Sequence, residues 1–335
     1  MKKSTIFFIV IDALALICFF VFYGPFSFVR NTIISTAMRT KTHQYIDYTF
    51  YSQKTINKVL QLDAYLPFEE EIDLDQIVID TEPKTSYDNE YDEIVLTREE
   101  GNEDYKLLEV DVGGYKGFMA VIYDPSKVRL ATSKVFNAGN RGAETMTSMC
   151  NRLGGLVCVN GGAFQDPDGW GSDIPAGYLI KDGQIIWSDS NGVANLIGFS
   201  NDNKLMLVTT TGEEAIRMGM RDALEFGPFL IVNGEKLQTV STAGGYERAA
   251  RVAIGQRKDG VVLILVTEGV HVNGPRLIDM ANTLESYGAY NAANLDGGSS
   301  SQLVANGKLV NNPLNIFGEK IVGGRPVVSG FIVMP

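Results

Sequence analysis

The chain has 335 residues, 45% of them hydrophobic and 35 of them glycine, which excludes general disorder and admits one large or two ordinary globular domains. Its net charge of −11 is unevenly spread: residues 69–104 hold fifteen acids against Lys84 and Arg98, a local −13, leaving +2 for the rest. With neither a basic stripe nor a matching motif, nucleic acid is excluded as a partner.

Lys2 and Lys3 precede an apolar run from Ile6 to Tyr23 broken only by Asp12. As a helix, eighteen residues rise about 27 Å, close to a bilayer core. No small-x-small cleavage site follows, so an uncleaved anchor is expected over residues 1–28, with a cytoplasmic tip, single-pass topology and the C-terminal domain outside the cell. Loose helical spacing of Ile46, Phe50, Ile56, Val59 and Leu60 predicts a stalk over residues 29–68. The acidic stretch 69–104, with Pro83, Asn89 and Gly101 inside it, reads as a solvated, self-repelling linker.

From Tyr105 to Pro335 short apolar runs alternate with Gly, Asn and Asp, the pattern of successive strands in one domain. "GAETMTSMCNRLGG" and "RLIDMANTLESYGA" predict core helices, each stopped by glycine. Cys150 and Cys158 fit either two buried thiols, the preferred reading, or one short disulfide of an exported domain. The run Val261–Val266 implies a strand buried on both faces. The expected fold class is therefore mixed α+β: a central mixed sheet flanked by helices, preceded by the transmembrane helix and stalk.

Three strands end in a polar residue beside glycine, at Asn160, Glu268 and Asp296, where a sheet presents a site. Two acids at strand ends are the minimum for glycoside cleavage. Asp296 is expected as nucleophile or base, Glu268 as proton donor, and Asn160 as the residue that orients a sugar hydroxyl or water. The backbone N–H groups of "DGGSSS", with Gly297, Gly298, Ser299 and Ser300, suggest a cradle for a phosphate oxygen. Asp166, Asp168 and Asp173 in "QDPDGWGSD" are the weak metal candidates, calcium being the ion they would suit; the sequence itself requires no cofactor. His271 reads as a surface imidazole.

"VNGGAF", "FGPFLIVNGE", "RVAIGQRKDGVVLILVTEG", "GAYNAANLDGGSSS" and "GRPVVSGFIV" occur in the order found in phosphodiester glycosidases, and residues 105–335 resemble that family, including its bacterial exopolysaccharide-type members. The resemblance implies a site that gathers Asn160, Gly161, Arg251, Asp296, Gly297 and Gly298, with Arg251 neutralising phosphate. Glu268 and Val270 stand where an aspartate and an arginine are more usual, and Ala163 replaces an aromatic residue. The implied activity is hydrolysis of a sugar-1-phosphodiester in an envelope or exopolysaccharide glycan, with a carbohydrate or sugar-phosphate polymer and the membrane as partners. A non-catalytic glycan-binding protein and a metal-dependent phosphodiesterase are the alternatives.

Overall fold

A computed structural model describes residues 3–24, 30, 34, 48–56, 71–134, 144–166, 172–189, 192–237, 240, 248–270, 273–315 and 317–335. Most of the expected stalk, Asp168 and His271 lie outside the described residues. The chain divides into one unit of residues 1–65 with 242–247 and another of 66–241 with 248–335.

In the first unit, α1 (Lys3–Tyr23) is a helix whose described apolar side chains, among them Phe7, Phe8 and Leu16, are exposed. Among the described residues, no helix is long and apolar enough to cross a membrane. The expected transmembrane helix is therefore not supported by the fold. Ile34, Tyr51 and Ile56 form a small buried cluster beside Phe22.

The second unit holds helices α2 (Glu90–Leu96), α3 (Met146–Leu153), α4 (Gly212–Arg217) and α5 (Leu277–Ser286). Its strands begin with β1 (Tyr105–Val112), β2 (Tyr115–Ile122), β3 (Val128–Thr132), β4 (Glu144–Thr145) and β5 (Val157–Asn160). There follow β6 (Leu179–Lys181), β7 (Gln184–Trp187), β8 (Ala194–Ser200), β9 (Leu205–Thr210) and β10 (Met220–Glu225). Next are β11 (Phe229–Val232), β12 (Glu235–Lys236), β13 (Val252–Arg257), β14 (Val262–Thr267) and β15 (Ala289–Leu295). The last are β16 (Leu303–Ala305), β17 (Lys308–Leu309), β18 (Pro326–Val327) and β19 (Ser329–Val333).

These strands build three main sheets, ordered β1-β2-β14-β13-β15-β11-β12, β7-β6-β10-β8-β9 and β17-β16-β5-β19-β3. Each faces one shared core, to which Ile264, Phe199 and Phe331 contribute from the three sheets in turn. The outer faces are covered by helices: α5 through Leu277, Met280 and Leu284, α4 through Ala215, and α3 through Met146 and Met149. The expected single mixed sheet is thus corrected to several antiparallel sheets, since the strand pairs among the described residues are antiparallel. The continuous apolar run of β14 is nevertheless explained, because its side chains feed the shared core on one face and the α5 layer on the other.

The preferred reading of two free thiols is also corrected. Cys150, near the end of α3, and Cys158, on β5, form a disulfide with their Cα atoms 5.9 Å apart. Gly154 at φ +73° ends α3 and lets the chain reverse into β5 so that the two cysteines meet.

The acidic stretch is solvent-exposed along most of its described length but is anchored on the domain at a few points. Ile77 and Val95 are fully buried, and the N–H groups of Val78 and Asp80 donate to the carbonyls of Lys258 and Asp259 at 2.8 and 2.9 Å. Asn89 caps α2 by accepting from the N–H groups of Tyr91 and Asp92. Buried Arg257 donates to Asp92 at 2.8 Å, to both carboxylate oxygens of Asp259 and to the Tyr287 carbonyl. Burial alone would lower its pKa, but the two carboxylates outweigh it and raise the value. One acid of the stretch, Asp92, is thus paired with an arginine that composition counts assign to another part of the chain. Arg257→Ala leaves two carboxylates facing each other and is expected to lower the unfolding free energy by about 3–5 kcal/mol. Urea denaturation checks this, and limited proteolysis should then cut within residues 78–98.

Candidate active site

The register of the large sheet brings the expected residues Arg251, Glu268 and Asp296 to one end. Val252 pairs with Val266 on one side and with Leu295 on the other, so Arg251, Thr267 and Asp296 lie abreast across three strands. The Arg251 N–H donates to Thr267 Oγ1 at 2.8 Å, and the Thr267 N–H donates to the Arg251 carbonyl at 2.9 Å. Glu268, the next residue, has its N–H on the Lys116 carbonyl at 2.9 Å. Its Oε1 accepts two bonds from Asn312, one from the backbone N–H at 3.0 Å and one from Nδ2 at 2.8 Å.

Asn160 ends β5 in a different sheet and is 1% exposed. Its Nδ2 donates to the Asp296 carbonyl at 2.6 Å and its Oδ1 accepts from the Gln302 N–H at 2.8 Å. The neighbouring Gly161 carbonyl accepts from the Asp296 N–H at 2.8 Å. Both ends of the Asn160 amide thus hold backbone, so its observed work is to fix the Asp296 loop.

The glycines of that loop serve close packing and a turn. A Cβ on Gly297 would lie 2.7 Å from the Ala250 carbonyl oxygen, whereas one on Gly298 meets open space but would sit at φ +57°. The Gly298 N–H donates to the Ala250 carbonyl at 2.7 Å, and those of Ser300 and Ser301 donate to Gly297 and Gly298 at 3.1 and 3.2 Å. The expected phosphate cradle is therefore largely closed, because its donors build the loop and dock it on the strand that carries Arg251. Ser299 stands partly exposed on the turn, and the Ser300 side chain hydrogen-bonds the Asp296 carboxylate.

Burial raises the Asp296 pKa to about 7; the Ser300 bond and the charge of Arg325 pull it down less strongly, and Asp166 pushes it further up. Arg325 donates to Asp166 Oδ2 at 2.6 Å, and its guanidinium lies 5.1 Å from the centre of the Phe164 ring. Fully buried Gln302 connects these parts: its Nε2 donates to the carbonyls of Arg325 at 2.8 Å and Ser300 at 3.3 Å, and its Oε1 accepts from the Met146 N–H at 3.1 Å.

Arg325 and Gln302 are the site residues that sequence reasoning missed. Arg325 stands inside the quoted "GRPVVSGFIV" and Gln302 directly follows "DGGSSS", but neither falls at a strand end beside glycine in the pattern used to choose candidates. The metal reading gains no support. Among the described residues, no group of three His, Cys, Asp or Glu side chains could hold a metal ion. Asp166 faces Arg325 instead, Asp173 is buried, and Asp168 lies outside the described residues.

Residues 154–334 match a family model described as phosphodiester glycosidase. The SPbeta prophage-derived uncharacterized protein YomE of Bacillus subtilis is 32% identical over 202 residues, covering 57% of this chain and 30% of its own length. Mouse N-acetylglucosamine-1-phosphodiester alpha-N-acetylglucosaminidase is 25% identical over 221 residues, covering 59% of this chain and 41% of its own length. The chain thus spans less than half the length of these curated relatives. The catalytic domain of the zebrafish N-acetylglucosamine-1-phosphodiester alpha-N-acetylglucosaminidase, solved auto-inhibited by its pro-peptide, shares the fold. Its TM-score is 0.57 at 20% identity, over 69% of this chain and 82% of that one.

A carboxyl whose folded pKa lies above the ordinary aspartate value of 3.8 stabilises the protein fully below that value and loses the contribution as pH rises towards about 7. Asp296→Asn is therefore expected to melt above the wild type at pH 8 and to lose that advantage below about pH 4. Thermal melts of both proteins across this range check it.

Proposed function

The chain belongs to the phosphodiester glycosidase family, and from that premise we propose that it hydrolyses a glycosyl phosphodiester with Asp296 as the proton donor. The observation that carries this reading is the position of Asp296: its backbone is held at a sheet end by Asn160 and Gly161, and its carboxyl has a pKa raised to about 7. Such a group donates and recovers a proton near neutrality. The leaving group of a sugar-1-phosphodiester is a phosphate monoester, whose second pKa is about 6, so donor and leaving oxygen are closely matched.

In the proposed reaction the bond between the anomeric carbon and the phosphate oxygen breaks as the Asp296 proton moves to that oxygen. Water adds to the anomeric carbon and gives its proton to Glu268. This exchanges the roles drawn from sequence, because Glu268 Oε1 already accepts two N–H bonds and is oriented as an acceptor. Arg251, whose backbone is bonded to Thr267 beside the Asp296 loop, is the residue we assign to supply positive charge for the phosphate.

We read the substrate as a carbohydrate or sugar-phosphate polymer of the cell envelope or an exopolysaccharide, and the domain as extracytoplasmic. The Cys150–Cys158 disulfide supports export, because such bonds persist in oxidising compartments. The apolar side chains exposed along α1 support attachment to a membrane as part of the same reading.

Asp296→Asn should keep the fold and reduce turnover of a sugar-1-phosphodiester by a factor of about 100 or more. In the wild type, kcat/KM should fall as pH rises through about 7, since the protonated carboxyl is the active form. Steady-state kinetics with circular dichroism of the variant test both, and unchanged turnover would remove Asp296 from the chemistry.

A further inference from the structure

The segment from Asn312 to Gly324 is fastened to the proposed site at both ends and displays apolar side chains between them. At one end Asn312 gives Glu268 Oε1 two hydrogen bonds, at 3.0 and 2.8 Å, and Asn311 Nδ2 donates to the Ser301 carbonyl at 2.8 Å. At the other, Gly324 at φ +80° packs so closely on Gln302 Oε1 that no Cβ would fit, and Arg325 follows. The turn between is closed on itself. The Asn315 N–H donates to the Glu319 carbonyl at 2.8 Å and the Ile321 N–H to the Pro313 carbonyl at 2.9 Å. Asn315 Oδ1 accepts from the N–H groups of Phe317 and Glu319, both at 2.9 Å. Within this frame Phe317 is 81% and Val322 87% exposed, the highest values among the exposed large hydrophobic side chains of the described residues. A well-bonded turn thus holds an aromatic ring in water, where the ring contributes little to the fold.

We propose that Phe317 is a stacking platform for a sugar ring of the glycan substrate, next to the ring that reacts. This inference rests on the glycosyl phosphodiester reading above and adds a subsite to it. A Cβ placed on Gly318 would lie 3.8 Å from Val270 Cγ1, two residues beyond Glu268, so the platform stands on the Glu268 side of the site. A pyranose presents a face of C–H bonds whose partial positive charge suits the negative face of an aromatic ring, and stacking removes both faces from water. Glu319 and Lys320, the exposed residues that follow Gly318, offer an acceptor and a donor to the hydroxyls at the sugar's edge. Residues 312–324 carry one acid and one base, so no basic cluster draws the turn to anionic lipid.

The test uses neutral oligosaccharides and the full chain. Binding of maltoheptaose, laminarihexaose and chitohexaose is measured by saturation-transfer NMR for the wild type and for Phe317→Trp, Phe317→Leu and Phe317→Ser. The wild type should bind at least one of them, Phe317→Trp should bind it as well or better, and the other two variants should lose about tenfold in affinity. Leucine keeps an apolar side chain but has no aromatic face, so equal binding by Phe317→Leu and the wild type would overturn the proposal. Absence of oligosaccharide binding by the wild type would do the same. Vesicles of phosphatidylglycerol and phosphatidylcholine should bind all four proteins alike; weaker vesicle binding by Phe317→Ser alone would assign the ring to a membrane instead. The Asp296→Asn kinetics test the hydrolase reading separately, so its failure and the failure of sugar stacking are told apart.

Discussion

The active end of the molecule depends on one side-chain amide. Asn160 reaches from β5 to the carbonyl of Asp296 with its nitrogen and to the N–H of Gln302 with its oxygen. These two targets flank the loop between β15 and β16, which belong to different sheets. A buried amide with one unmet partner is costly, so the loop is held only where both bonds form together. Gln302 then extends the constraint to Arg325 and to the first residue of α3. The general consequence is that Asp296 and Arg325 are placed by bonds to their backbone, which resist displacement better than contacts between flexible side chains.

Much of this was legible in the sequence, and the limits have physical causes. Hydrophobic periodicity and glycine stops predicted α3 and α5, because an amphipathic helix repeats its apolar face at fixed spacing. The rule of polar residues at glycine-flanked strand ends pointed to Asn160, Glu268 and Asp296, and the family resemblance added Arg251. Strand direction was not legible. A continuous apolar run reports burial on both faces, and an antiparallel sheet clad by a helix produces the same run as a parallel one. The anchoring of the acidic segment was not legible because counting charge along the chain misses Arg257, distant in sequence and 2.8 Å from Asp92 in space. The "DGGSSS" donors were assigned to a ligand because sequence lists N–H groups without showing that Ala250, Gly297 and Gly298 already accept them.

Asp296 also shows why such a site needs a large fold around it. A carboxyl held near neutrality is one whose ionised form the surroundings disfavour, and at neutral pH that preference lowers stability. The opposing contribution comes from the core, where three sheets bury Ile264, Phe199, Phe331 and their neighbours against one another and a helix covers each outer face. The same enclosure that makes the carboxyl costly makes it useful, since fewer waters compete for its proton and neighbouring charges act over longer range. Arg325 and Asp166 therefore act on the Asp296 carboxyl, in opposite directions, more strongly than an equivalent pair on open surface would. Packing and proton affinity follow from one arrangement, a strand end held by Asn160 at the place where two sheets meet.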